Sequence, residues 1–141
     1  MLTPEFFNQH IQDHLPDHLG IVVTHVAPSS LRCYFDITQS IMAPNGFLHA
    51  GSVVTLADTA AGLGCHAHLP AGASGYTTIE LKSNFMGTAR QGRVSCHATP
   101  AHLGRSTQVW DSVVTHDDTG KTIALFRCTQ IILYPQTGGT R

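Results

Sequence analysis

The feature that most constrains the fold is a long run of small and apolar residues in the middle of the chain. The run extends from about Ala50 to about His68 and ends at the Pro-Ala-Gly sequence of residues 70–72. It predicts a helix that is apolar on nearly all sides, and such a helix is normally buried on most of its surface. Its alanines and glycines allow other backbones to approach closely. The rest of the chain must therefore cover one central helix.

Periodic patterns on both sides of this helix predict the other elements. Residues 4–15 are expected to form a short amphipathic helix that ends at Pro16 and Gly20. Alternating polar and apolar residues predict strands over residues 20–27, 31–38, 76–85, 93–99, 107–115 and 122–133. In the strand over 76–85, alternation predicts one face formed by Thr77, Ile79, Leu81 and Phe85. Residues 136–141 are expected to be a polar tail.

This order of elements predicts an α+β domain. One helix can be covered by six strands only if an antiparallel sheet curls around it, and the open side of the helix then needs cover from a second copy. A chain of 141 residues is long enough for one domain with its own core. Only 12% of the residues are charged, about half the usual share, which also favours a surface covered by self-association.

Composition also limits the class of function. The net charge of −1 argues against a nucleic-acid-binding protein, which would normally be basic. No apolar run reaches the length of a membrane span and no signal peptide is visible, so a cytoplasmic protein without a membrane partner is expected. Three histidines recur every four residues, but Pro16 interrupts their helix, so a metal site is not expected at His10, His14 and His18. Buried free thiols are expected at Cys33, Cys65, Cys96 and Cys128.

Asp58 is the residue where chemistry is first expected. It is the only formally charged side chain between Asp36 and Glu80, and it lies inside the apolar run. A carboxylate buried without a partner is costly, so such a group pairs, accepts hydrogen bonds or shifts its pKa. The alternative is a structural acid that is hydrogen-bonded to Thr55 or to a neighbouring strand.

Several motifs resemble those of one family. Residues 45–51 read NGFLHAG, Asp58 follows His49 by nine positions, and residues 77–85 (TTIELKSNF) and 102–106 (HLGRS) follow downstream. Together they resemble the hotdog-fold acyl-CoA thioesterases of the PaaI-like, phenylacetate-degradation branch, over about residues 15–134. That family has His-Gly-Gly at the start of the central helix and an acid nine residues after the histidine. The resemblance implies a long helix wrapped by a curved antiparallel sheet, and hydrolysis of an acyl- or aryl-CoA thioester without a cofactor.

The chain departs from the family pattern at three positions. Ala50 replaces the first glycine of the pair, but its backbone N–H is retained. Gly62 stands where the family often has a hydroxyl residue one turn after the acid, which weakens the case for water positioning by that turn. Asn45 is closer to His49 than the corresponding amide residue usually is.

Helix geometry separates the groups that thioester hydrolysis needs. The first turn of a helix offers free N–H groups and the positive end of the helix dipole, so the N–H of Ala50, helped by Gly51, is expected to stabilise the oxyanion. Asp58 lies eight residues further on, about 12 Å along the axis. Both groups can act on one thioester carbon only if they come from two subunits of a homodimer, or of a tetramer built from such dimers. Asp58 would act as a general base or as a nucleophile.

The other candidate catalytic residues are His49 and Thr78. His49 is expected to orient groups at the helix start, or to be a plain N-terminal cap. The resemblance gives Thr78 a role in placing substrate or water; the alternative is an ordinary strand residue, and Thr77 remains open as the active hydroxyl.

Positive charge is expected where the phosphates of coenzyme A bind. Residues 81–110 contain four basic residues and no acid between Lys82 and Arg105. Arginine is suited to bidentate contacts with phosphate, so Arg90, Arg105 and Ser106 are the candidate binding residues. The alternative is that these charges only protect strand edges. Two rival functions also remain: a hotdog hydratase or dehydratase, and a non-catalytic acyl-CoA-binding module.

Overall fold

The computed structural model describes residues 2–136 and contains one long helix among six strands. The helices are α1 (Pro4–His10), α2 (Leu15–His18) and α3 (Ala50–Ala67). The strands are β1 (Val22–Ala27), β2 (Ser30–Asp36), β3 (Gly75–Phe85), β4 (Arg93–Leu103), β5 (Thr107–His116) and β6 (Thr122–Leu133). They form an antiparallel sheet in the order β1-β2-β4-β5-β6-β3. Because α3 packs against every strand from β2 to β6, the predicted α+β architecture is confirmed.

Helix α3 forms the centre of the core through its small residues. Leu56 and its neighbours Ala57, Ala60 and Ala61 are fully buried. A Cβ at Gly64 would lie 2.6 Å from Cζ3 of Trp110, so the helix and β5 are in direct contact there. The close approach that the small residues predicted is therefore present.

A chain of hydrogen bonds fixes the C-terminal end of α3 to the sheet. The indole N–H of Trp110 donates to Gln108 Oε1 at 2.8 Å, and Gln108 Nε2 donates to the carbonyl of His68 at 2.8 Å. Both side chains are fully buried, so these bonds satisfy polar groups that would otherwise oppose folding.

The N-terminal segment differs from the single helix predicted over residues 4–15. Helix α1 ends at His10, and Asp13 adopts a left-handed conformation with φ of 63°, which interrupts the helix. Pro16 does not end a helix; it occupies the first turn of α2, where its missing N–H costs nothing. As a result the three histidines at spacing four do not share one helix, and no group of three metal-binding side chains occurs in residues 2–136.

A bulge in β3 overturns the predicted alternation of that strand. The pairing with β6 shifts between Thr78 and Glu80, so Thr78 pairs with Gln130 and Leu81 pairs with Cys128. Both partners in β6 are buried, which places Thr78 and Leu81 on the same, helix-facing side. Thr77 lies on the opposite side and is exposed, so the predicted face containing both Thr77 and Leu81 was wrong.

The remaining boundaries agree with the predictions to within a few residues. Strand β4 continues through Pro100 to Leu103 by means of a second bulge, four residues beyond the expected end at residue 99. All four cysteines are free and buried, as predicted. No helix of the described part is long and apolar enough to cross a membrane. The predicted tail lies outside the described residues from position 137 onward.

Strand β3 forms one edge of the sheet and carries exposed apolar side chains. Leu81 and Phe85 point toward the helix side of the sheet, because their partners Cys128 and Ala124 are buried. They are nevertheless 42% and 47% exposed. Soluble proteins normally cover an edge strand of 11 residues that exposes apolar side chains.

Candidate active site

Asp58 lies on the side of α3 that faces β3, and its carboxylate is not satisfied. The Oδ1 atom is buried and has no hydrogen-bond partner within residues 2–136. Burial raises the pKa of this carboxyl above its ordinary value of 3.8, and the neighbouring Thr78 hydroxyl opposes the rise. Thr55 donates its hydroxyl to the carbonyl of Gly51 at 2.8 Å, so it is not the structural partner considered for Asp58.

The bulge in β3 places Thr78, and not Thr77, beside Asp58. The Thr78 hydroxyl donates to Gln130 Oε1 at 3.0 Å. A hydroxyl has one hydrogen, so Thr78 serves Asp58 only when it rotates away from Gln130. In the rotated position the Thr78 hydroxyl donates to Asp58, and this hydrogen bond lowers the pKa of the carboxyl.

Asp58 and Thr78 line a cavity of about 220 Å³. Gly62 and Tyr76 form part of its wall, and the N-terminal segment closes one side with residues that include His10 and His14. Burial, followed by the proximity of Cys65 and Asp58, raises the pKa of Tyr76 to about 12. No local pattern in the sequence predicts Tyr76, His10 or His14 here, since each comes from an element distant in the chain.

At the start of α3, the backbone N–H of Gly51 is already hydrogen-bonded and that of Ala50 is free within the described chain. His49 caps the helix, and its Nδ1 accepts the N–H of Gly51 at 2.7 Å. An accepting Nδ1 leaves the proton of the neutral ring on Nε2. The N–H of Ala50 has no partner in the described chain, and both Ala50 and Gly51 are exposed. Of the two expected oxyanion donors, the Ala50 N–H is the one available.

Asp58 and Ala50 do not converge within one chain. Both lie on the uninterrupted helix α3, eight residues and about 12 Å apart along its axis. The Asn45 side chain accepts the N–H of Phe47 and shapes the turn before α3. One protomer therefore holds the two candidate groups apart on the same helix.

The candidate phosphate-binding residues lie at opposite ends of α3. The Arg90 guanidinium stacks on Phe47 at 4.2 Å from the ring centroid, close to the helix start. Its cavity of about 540 Å³ also contains Lys121. Arg105 lies beside Tyr134 and lines a cavity of about 320 Å³ with His68, at the helix end.

Two further observations separate binding candidates from structural charges. Arg93 donates to Asp36 at 2.8 Å and stacks on Tyr34, so its charge serves the sheet. Within residues 2–136, neither Arg90 nor Arg105 has an acidic partner. The side chain of Ser106 is exposed next to Arg105, while its carbonyl accepts the N–H of Ile132.

Comparison with known proteins identifies the family. A family model described as the thioesterase superfamily matches residues 45–123, which include the start of α3, Asp58 and Arg90. The chain belongs to this superfamily. It is 30% identical over 115 residues to a 1,4-dihydroxy-2-naphthoyl-CoA hydrolase of Listeria monocytogenes, covering 82% of this chain and 92% of the relative.

Solved structures agree on the fold. A thioesterase from Haemophilus influenzae superposes with a TM-score of 0.89 at 28% identity, over 95% of this chain and 92% of that one. The PaaI protein from the phenylacetic acid degradation operon of Escherichia coli has the same fold, with a TM-score of 0.80 at 23% identity over 95% and 91% of the two chains. The chain is a hotdog-fold acyl-CoA thioesterase, that is, a thioester hydrolase. The hydratase and the non-catalytic binding module have no support among these relatives.

Proposed function

We propose that this thioesterase acts as a homodimer, alone or within a tetramer, with two identical sites at the subunit interface. Each site combines Asp58 of one protomer with the start of α3 of the other. The observation that carries the proposal is the unpartnered Oδ1 of Asp58, which lines a cavity about 12 Å from the only free donor of its own helix start. An antiparallel pair of α3 helices across a two-fold axis brings the two halves together.

Hydrolysis follows from the chemistry of these groups. Asp58 takes a proton from a water molecule as the water oxygen forms a bond to the thioester carbonyl carbon. The Ala50 N–H of the other protomer donates to the oxyanion, and His49 orients this turn by accepting the N–H of Gly51. The C–S bond then breaks, and the proton passes to the departing thiolate. The products are a free acid and coenzyme A.

Burial raises the pKa of Asp58, which strengthens its carboxylate as a base and as a nucleophile alike. As a base, Asp58 activates the water directly and forms no covalent intermediate. A nucleophilic Asp58 would instead form a mixed anhydride. Single-turnover hydrolysis in labelled water tests this, because label in Asp58 requires the anhydride, whereas a general base places the label only in the acid product.

The two arginine sites fit one coenzyme A molecule that spans the interface. Arg90 lies near the helix start that supplies the oxyanion donor. Arg105 and Ser106 lie near the end of the helix that supplies Asp58. An antiparallel helix pair brings these two ends together, so phosphate contacts come from both protomers.

The acyl group enters the cavity beside Asp58. Its volume of about 220 Å³ and its walls of Tyr76 and His10 favour a compact or aromatic acyl group. The Listeria relative is named for an aromatic acyl-CoA, which supports the same class. A panel of aromatic and straight-chain acyl-CoAs with a free-thiol readout tests this preference.

The test of the shared site uses two variants that remove one half each. Asp58→Asn removes the base, and Ala50→Pro removes the proposed donor at a helix position where proline is favoured. His49 has φ of −66° and ψ of 135°, the conformation that a residue before proline prefers. Each variant is expected to lose thiol release by about a hundredfold or more. Ala50→Ser, which keeps the N–H, is the matched control and should remain active.

Mixed dimers then show whether the two halves come from different chains. In a dimer of one Asp58→Asn and one Ala50→Pro chain, a shared site leaves one intact site. Random reassortment should therefore recover about a quarter of the wild-type activity. A mixture that stays inactive, with mixed dimers shown to form, would contradict the proposal.

A further inference from the structure

The hydroxyl of Tyr76 lies in the Asp58 cavity and has no assigned role. Tyr76 begins β3 on the helix-facing side, since its partner Ile132 is buried. Its ring packs on Gly62, where an added Cβ would lie 3.4 Å from both Cε2 and the hydroxyl oxygen. A Cβ at position 62 would thus meet the Tyr76 side chain at an ordinary contact distance. The hydroxyl therefore reaches this face of the helix from a different element.

The helix places this hydroxyl one turn from Asp58. Gly62 follows Asp58 by four residues, so the two positions share a helix face about 6 Å apart along the axis. Two hydrogen bonds of about 2.8 Å each to one water molecule span a comparable distance. Both Tyr76 and Asp58 line the same cavity, and Asp58 Oδ1 lacks a partner in the described chain. One water molecule can therefore bridge the phenol and the carboxylate.

The protonation states of the two groups fit such a bridge. Burial, the nearby Cys65 and the charge of Asp58 raise the pKa of Tyr76 to about 12. The phenol thus keeps its hydrogen below about pH 12, so it is a donor at neutral pH.

We propose that Tyr76 positions the hydrolytic water, and this inference rests on the proposed function. The phenol donates to the water oxygen, and the water donates one hydrogen to Asp58. The free lone pair of the water forms the bond to the thioester carbonyl carbon as Asp58 accepts the proton. The C–S bond breaks, its electron pair goes to sulfur, and the thiolate takes the proton from Asp58. Tyr76 is unchanged at the end of the cycle.

The test removes the hydroxyl and then restores it from the helix. Tyr76→Phe keeps the ring, so kcat should fall about tenfold to a hundredfold with little change in KM. A serine at position 62 places its oxygen near the lost phenol oxygen, because the Cβ there lies 3.4 Å from that atom. Tyr76→Phe combined with Gly62→Ser should therefore recover at least half of the lost activity on a logarithmic scale. Tyr76→Phe with Gly62→Ala is the matched control and should not recover.

The outcomes separate this inference from the function on which it rests. If the wild-type protein releases thiol and Tyr76→Phe keeps kcat within about twofold, the inference is overturned while the function stands. Equal activity of the serine and alanine double variants also overturns it, since the recovery would then not depend on a hydroxyl. Melting temperature and oligomeric state are measured for each variant, so that a folding defect is not read as a catalytic one. A wild-type protein that hydrolyses no acyl-CoA would refute the function itself.

Discussion

At the scale of single residues, the buried Asp58 lowers the stability of the folded protein when it is ionised. Burial raises its pKa in the folded state above the ordinary value of 3.8, so the folded protein binds a proton there more readily than the unfolded chain. The ionised carboxylate therefore opposes folding above the raised pKa, and this effect disappears as the pH falls below the ordinary value.

Asp58→Asn should consequently be more stable than the wild type as well as inactive. The melting temperature is expected to rise by a few degrees at about pH 8, and the gain should shrink as the pH falls through the raised pKa. Thermal unfolding followed at several pH values measures this. Asp36 provides a control of opposite sign, because Arg93 lowers its pKa; Asp36→Asn should not stabilise the protein at neutral pH. A lower melting temperature for Asp58→Asn at every pH would contradict the argument from burial.

At the scale of elements, the glycines of α3 have different purposes. Gly64 allows contact with Trp110, since a Cβ there would approach the ring to 2.6 Å. Gly62 meets only the ring of Tyr76, at an ordinary contact distance of 3.4 Å. The same helix thus contains one glycine that packing requires and one position at which packing allows a methyl group.

Substituting each glycine by alanine separates the two purposes. Gly64→Ala should destabilise the protein by about 1–3 kcal/mol, because the fully buried Trp110 must move. Gly62→Ala should be neutral or should stabilise by up to about 1 kcal/mol, since alanine is the better helix former. Denaturant unfolding of both variants measures the difference. Equal effects of the two substitutions would show that the contact with Trp110 does not limit position 64.

At the scale of the whole molecule, the exposed apolar face beside β3 is the surface on which the proposed second protomer would pack. Leu81 and Phe85 are exposed on the helix side, and the two buried polar atoms without partners in the described chain, Asp58 Oδ1 and Ser83 Oγ, lie on the same side. Ser83 pairs with the buried Phe126, which fixes its orientation. The exposed apolar side chains and the unpartnered polar atoms of the described residues therefore share one surface.

Phe85→Glu should separate the subunits and remove activity together. A charge on this apolar surface is costly to bury, so light scattering should show monomer, and thiol release should fall by at least tenfold. Leu125→Glu is the control: it is exposed to the same 47%, but it pairs with the outward-facing Asn84 on the other side of the sheet. That variant should keep the dimer and its activity. An active dimer of Phe85→Glu would place the interface elsewhere.

Much of the fold was predictable because helices and strands produce local periodic patterns in the sequence. The apolar run of residues 50–68 and the alternating strands depend on neighbours in sequence, and the structure has α3 at Ala50–Ala67 and β6 at Thr122–Leu133, where they were expected. The prediction of a single N-terminal helix was wrong, because the left-handed conformation of Asp13 does not alter the hydrophobic periodicity of the sequence. The face of Thr78 was not predictable by alternation, because a bulge changes the register within the strand.

The amino-acid order alone establishes the central helix, the strands around it and Asp58 as a lone acid within an apolar run. It also establishes that Asp58 and Ala50 are too far apart to act together in one chain, because the rise of a helix per residue is constant. The surroundings of the acid, in contrast, depend on the three-dimensional packing. The bulge turned Thr78 toward Asp58, and β3 brought Tyr76 over Gly62 from fourteen positions along the chain. Such contacts depend on strand register and packing, which couple residues that no local pattern connects.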